Sequence, residues 1–264
     1  MTKLSVVISV FNEEEKIEEC LSSASFADEI ILVDNGSSDK TVEKAKKFNV
    51  KIYNQENDSL RIDLQKNFGF QKATGDWILS LDADERISKE LAEEIRQVLK
   101  SNQSSINGYW IPRKNIIFNK WIKHTGWYPD LQLRLFKKGK GEYIKKAVHK
   151  PLEIEGKTGE LKNLLIHKRY SSLKEFIDKT INIYAPSEAE RLLSEGYSVS
   201  VRDAIRFPAQ EFISRFFARK GYKDGLHGLV LSILMAFYHF FIFAYLWEKS
   251  GFRKQENILK ETET

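Results

Sequence analysis

The sequence predicts an α/β protein: a mostly parallel sheet flanked by helices, with a helical C-terminal extension. Three observations predict it. Four short apolar runs near the start alternate with segments of helical length, the pattern of βαβ units and a parallel sheet. Each run ends in a polar or acidic cluster. Beyond residue 170 the chain turns to long apolar stretches bordered by Arg and Lys.

The first run, residues 4–10, ends in Phe11-Asn12-Glu13, and residues 14–23 have the length of a crossover helix. The second, 30–33, ends in Asp34-Asn35-Gly36-Ser37-Ser38-Asp39 and is followed by a helical segment at 40–48. The third, 50–53, ends in Asn54-Gln55, with a helix expected over 60–73. The fourth, 77–81, follows the turn signal Thr74-Gly75-Asp76 and ends in Asp82-Ala83-Asp84. In an extended chain alternate side chains share a face, so Asp82 and Asp84 are expected to project together. Two converging carboxylates suit a hard divalent cation shared with substrate phosphates. Ligands of parallel sheets bind outside the carboxyl ends of the strands, where all four clusters fall.

Taken in order, Val6-Val7-Ile8-Ser9-Val10-Phe11-Asn12-Glu13-Glu14, Ile30-Ile31-Leu32-Val33-Asp34-Asn35-Gly36-Ser37-Ser38-Asp39, Lys66-Asn67-Phe68-Gly69 and Ile78-Leu79-Ser80-Leu81-Asp82-Ala83-Asp84-Glu85 resemble glycosyltransferase family 2. The resemblance implies the GT-A fold, with its Rossmann-like sheet, a nucleotide-sugar donor and a divalent metal, Mn²⁺ or Mg²⁺. Trp127-Tyr128-Pro129-Asp130-Leu131-Gln132-Leu133-Arg134-Leu135-Phe136 and Val148-His149-Lys150-Pro151 resemble the subgroup of lipopolysaccharide-core β-glucosyltransferases. On this resemblance Asp84 is the metal ligand, Asp82 lies nearer the ribose, and Asp34 reads the uracil ring. Arg61, six residues before Asn67, contacts the base, which Phe11 and Glu13 flank. Asp130 is the candidate general base, its pKa expected to be raised beside the aromatic, proline-stiffened loop 127–129. Many relatives have an acidic residue next to this base, where this chain has Pro129. His149 and His167 are further candidates, His149 for the metal shell or the diphosphate.

The 264 residues, 42% hydrophobic and 12% aromatic, can bury a substantial core. The first run starts within three residues of Met1, so no signal peptide is expected, and the single Cys20 fits a reduced compartment. Residues 1–100 hold 14 Lys and Arg against 20 Asp and Glu; the remainder holds 28 against 17. The basic second half is expected to meet an anionic partner. Nucleic acid is not expected, because no nucleic-acid module is present.

Residues 225–247 contain no Asp, Glu, Lys or Arg, long enough to span a membrane, yet basic residues flank both ends. Residues 201–220 set Arg202, Arg206, Arg215 and Arg219 among apolar positions, the pattern of a helix in the headgroup plane. Burial, dimerisation and a true span are the alternatives. The expected organisation is a catalytic domain over 1–170, with a donor half at 1–100 and an acceptor half at 101–170, then a membrane-associating or oligomerising region over 171–264. The expected function is inverting, metal-dependent transfer from a UDP-sugar to a saccharide or lipid-linked acceptor in lipopolysaccharide or cell-envelope glycan synthesis. The expected location is cytoplasmic, peripheral on the inner membrane face. A nucleotidyltransferase would carry a Gly-rich basic loop after the first strand, where this chain has Phe11-Asn12-Glu13-Glu14-Glu15. An inactive scaffold of the same fold would not need Asp34, Asp82 and Asp84.

Overall fold

The computed structural model describes residues 2–57, 62–101, 105–144, 152–197 and 200–251, with the backbone alone at 62–64. The chain divides into two compact units, one of residues 1–115 and 129–169, the other of 116–128 and 170–264. In chain order the first unit runs through β1 (Leu4–Val10), α1 (Ile17–Ala24), β2 (Glu29–Asp34), α2 (Thr41–Ala45), β3 (Lys51–Asn54), α3 (Ile62–Lys72), β4 (Trp77–Asp82), β5 (Glu85–Ile87) and α4 (Lys89–Lys100). Strand β6 (Ile106–Ile117) then leads to the short β7 (Lys120–Trp121) of the second unit. The first unit resumes with β8 (Leu131–Lys137), β9 (Gly141–Glu142), β10 (Glu153–Ile154), β11 (Lys157–Glu160) and β12 (Leu165–Tyr170).

Strands β3, β2, β1 and β4 pair in that order and are all parallel. Strand β8 joins antiparallel to β4, and β6 antiparallel to β8. Strand β1 is buried along its length, which accounts for an apolar run broken only by Ser5 and Ser9. Leu4, Val6, Ile8 and Val10 pack on one face against Ile17, Leu21, Leu91 and Ile95. Val7 packs on the other, with Ile31, Val33, Phe70 and Phe136. A strand buried on both faces loses the hydrophobic–polar alternation, and each such side chain contributes about 1.5–3 kcal/mol.

Helix α3 reaches the sheet through Gly69, where a Cβ would stand 2.5 Å from Val7 Cγ1 and 2.9 Å from Val33 Cγ2. Two residues earlier, Asn67 exchanges hydrogen bonds with the Tyr143 backbone, its Nδ2 donating to the carbonyl at 2.8 Å and its Oδ1 accepting from the amide at 2.9 Å. The Lys66-Asn67-Phe68-Gly69 motif is therefore a packing device as well as a site element.

Glu29 ties the opposite edge of this sheet. Its carboxylate accepts from Ser5 Oγ at 2.5 Å, Lys51 Nζ at 2.7 Å and the Thr74 amide at 2.8 Å. Burial alone would raise its pKa, but these donors hold it at about 2. A depressed carboxylate stabilises the fold above its ordinary value of 4.5 and loses that contribution as pH falls toward about 2. Glu29→Gln is expected to cost about 2 kcal/mol at neutral pH. The wild-type and Glu29→Gln urea midpoints should converge on acidification through that window; a constant gap would contradict the assignment.

The second unit contains α5 (Leu173–Lys179), a π-helical turn at Thr180–Tyr184, α6 (Ala185–Ser194), α7 (Asp203–Ile213), a second π-helical turn at Ser214–Ala218 and α8 (Leu226–Lys249). Residues 116–128, expected within the acceptor half of the catalytic domain, group with these helices. The reason is apolar: Ile117 and Ile122 are buried among Tyr170, Phe176 and Leu231. Asp224 fastens the same loop, accepting from the Lys123 and His124 amides at 3.3 and 2.8 Å. Helix α8 is long and apolar enough to cross a membrane.

Candidate active site

The site is built on the carboxyl edge of the parallel strands. Register places Asp34 beside Val10 and Asp82 beside Ser9, so the two aspartates flank the end of β1 from opposite sides. Two inter-strand spacings put their backbones about 10 Å apart. The loops after β1 and β2 lock together. Asn12, at φ 54°, donates its amide to Ser37 Oγ at 2.9 Å and accepts from the Ser38 amide at 2.8 Å. The Glu13 amide donates to Thr41 Oγ1, and the Glu14 amide to Asp39. Asp34 is buried, and both of its oxygens lie 3.2 Å from the Ser37 amide. Phe11 is 46% exposed at the lip. The Glu13 carboxylate lies 3.0 Å from Lys16 Nζ.

At the end of β4 the chain does not stay extended. Residues 83 and 84 form a turn, closed by the Asp82 amide donating to Glu85 Oε2 at 2.9 Å. The expectation that Asp82 and Asp84 project together is corrected by this turn, and the two carboxylates face different partners. Asp82 pairs with Lys66 Nζ at 2.7 Å and with the buried Arg134 guanidinium. Burial opposes its ionisation, but Arg134 and Lys66 hold its carboxyl far below the usual range. Asp84 faces His167 Nε2 at 3.3 Å. Burial would raise its pKa too; the His167 hydrogen bond lowers it and keeps the group ionised.

From Asp84 a polar chain runs through the first unit to Asp130. Asn115, fully buried, donates Nδ2 to Asp130 Oδ2 at 2.9 Å and sets Oδ1 2.7 Å from His167 Nδ1. An ionised carboxylate only accepts, so Asp130 fixes the Asn115 amide and thereby a proton on His167 Nδ1. Arg113 pairs with Asp130 at 2.8 Å and reaches Glu85 at 3.4 Å. Glu85, with no exposed surface, accepts from Arg134 at 2.8 Å, which closes the ring back to Asp82.

Asp130 therefore differs from expectation. Its burial would raise the pKa, but Arg113, Asn115 and Gln132 bring it below the ordinary carboxylate value. The aromatic loop does not set its acidity; the donors on β6 and β8 do. Arg61 and His149 lie outside the described residues. Among the described residues no cluster of three or more His, Cys, Asp or Glu groups is placed to hold a metal.

The sequence reading gave no role to Glu85, Arg113, Asn115 or Arg134. Arg134 leaves a trace, a single charge inside the apolar strand pattern Leu133-Arg134-Leu135. Glu85 follows the aspartate pair directly. Arg113 and Asn115 leave no local trace, because their role depends on β6 lying beside β8.

A parallel sheet with aspartates at the carboxyl ends of β2 and β4, extended by an antiparallel half, is the arrangement of the GT-A fold. Residues 5–156 match Glycosyl transferase family 2, and the chain belongs to that family. It is similar to an uncharacterized glycosyltransferase of Rickettsia typhi, 30% identical over 98% of this chain and 91% of the relative. It is also similar to the lipopolysaccharide core biosynthesis glycosyltransferase LpsC of Rhizobium meliloti, 26% identical over 97% of this chain and 96% of that one. Among solved structures, a Staphylococcus aureus TarS fragment in complex with UDP is 14% identical, with a TM-score of 0.47 over 98% of this chain and 94% of that one.

Proposed function

We propose that the protein is an inverting transferase that moves a sugar from a UDP-sugar to a saccharide or lipid-linked acceptor of the cell envelope, on the cytoplasmic side of the membrane. The observation that carries this reading is the pair of buried or ion-paired aspartates, Asp34 and Asp82, flanking the end of β1. Asp34, buried at the end of β2, suits a base edge that donates hydrogen bonds. Phe11 offers a ring at the lip, and Glu13 and Arg61 are proposed as further contacts to the base. Asp82 is poised to accept from ribose hydroxyls, although both of its oxygens hold cationic partners here. Lys66 and Arg134 bring positive charge to the edge where a diphosphate would lie.

The residues fit a divalent cation, since Mg²⁺-type ions use one or two carboxylates and complete their shell with substrate phosphates and water. Asp84 is ionised and 21% exposed at its side chain, and His149 is the second proposed ligand. Such a cation, Mn²⁺ or Mg²⁺, supplies neutralisation of the departing diphosphate. Asp130 is proposed to take the acceptor proton. Its support is orientation by three donors, not a raised pKa. Similarity to LpsC, named for lipopolysaccharide core biosynthesis, supports an envelope acceptor. The buried, unpaired Cys20 is compatible with a reducing compartment.

The test is a panel of nucleotide sugars, each hydrolysed with and without Mn²⁺. Turnover confined to UDP-sugars and dependent on the cation is expected. Equal turnover of GDP- or CMP-sugars would overturn the donor assignment.

A further inference from the structure

The second unit leaves two apolar stripes uncovered. On α7 and its π-helical continuation Ile205, Ala209, Ile213 and Phe217, four residues apart, are exposed; Ile205 is 75% exposed. On α8 Leu226, Ile233, Phe237, Phe240 and Trp247 are exposed at spacings of seven, four, three and seven, one face of a helix. The two helices pack on each other. Between them Glu211 pairs with Arg215 and lies 3.6 Å from His239 Nε2, so the imidazole in the middle of α8 faces α7. Scattered exposed apolar residues are ordinary, but aligned stripes on two packed helices mark an interaction surface.

Charge identifies the partner. Over residues 201–225 the acids are all engaged. Asp203 is buried against Tyr197 and Arg206, Glu211 is paired, and Asp224 is buried under His124. The bases Arg202, Arg206, Arg219, Lys220 and Lys223 remain exposed. An apolar face bordered by outward cations, with its acids withdrawn, fits an anionic lipid surface. A second copy of the chain fits less well, because residues 226–247 offer no charged side chain to set the register of a facing helix. A span is opposed by α6, which packs Ala185 and Ala189 on Ile242 and Leu246. That helix carries the Glu188–Arg191–Glu195 ion pairs, and Glu190 binds Lys249 at 2.9 Å. A spanning α8 would draw these charges into hydrocarbon.

We propose that the second unit docks on an anionic bilayer through the outer stripes of α7 and α8, lying in the membrane plane. Arg215 is not one of the lipid-facing cations, contrary to the expectation from sequence. It is turned inward, donating to the Thr125 carbonyl at 2.6 Å beside the Trp127 ring. The proposal stands independently of the sugar-transfer reading.

The test is flotation of the full chain with vesicles of phosphatidylcholine alone or mixed with phosphatidylglycerol. Flotation with the mixed vesicles, weakened by salt, is expected. Each basic group near an anionic surface changes partitioning about fivefold, so Arg202→Gln/Arg219→Gln/Lys220→Gln should lose about a hundredfold. Arg215→Gln should lose far less than a single surface arginine, provided circular dichroism shows it folded. Ile213→Gln/Phe237→Gln should abolish flotation, while the variant still binds UDP. Equal flotation with both vesicle types, unmoved by the charge variants, would overturn the proposal. Resistance to alkaline carbonate, the mark of a span, would also overturn it. So would a soluble dimer that does not float and becomes monomeric in Ile213→Gln/Phe237→Gln.

Discussion

Asp84→Asn is expected to fold, to keep its contact with His167, and to lose about a hundredfold or more in transfer rate. The side chain keeps its shape and one oxygen but gives up the charge that His167 now stabilises. If Asp84 holds the cation, kcat should fall and kcat/KM for the donor should fall further, because donor binding is weakened as well. The loss should also be accompanied by weaker Mn²⁺-dependent UDP binding, read by calorimetry. Near-normal turnover at saturating donor would remove Asp84 from the metal site.

Asp130→Asn is the second large effect. Removing a general base costs about 10²–10⁴-fold. Because the proposed role is on the acceptor side, UDP affinity should be unchanged while transfer collapses, a separation that a global packing defect would not produce. The pH profile carries a further consequence. The group's pKa lies below the ordinary carboxylate value, and a base must be deprotonated to act, so the wild-type kcat/KM should stay level as pH falls toward about 4. A limb near pH 6 would mean that the donors from Arg113, Asn115 and Gln132 do not govern the reacting group.

What the sequence made legible follows from how local each determinant is. Strands β1, β2 and β4 were readable almost to the residue, because apolar runs buried on both faces need no partner to announce them. The aspartates at their ends were readable for the same reason. The geometry of Asp82 and Asp84 was not, because Glu85 closes a turn that an extended chain would lack. The environment of Asp130 was hidden by topology. Arg113 and Asn115 precede it by 17 and 15 residues and reach it from β6. Likewise the placing of Arg202, Arg206, Arg215 and Arg219 among apolar positions could not reveal that Arg215 turns in toward Thr125.

The most direct measurement is a calorimetric titration of UDP into the wild-type protein and Asp34→Ala, each with and without Mn²⁺. A donor site on the carboxyl edge of the sheet predicts binding to the wild type that strengthens with Mn²⁺ and is lost in Asp34→Ala. Binding of equal strength in both proteins would place the nucleotide elsewhere and contradict the site.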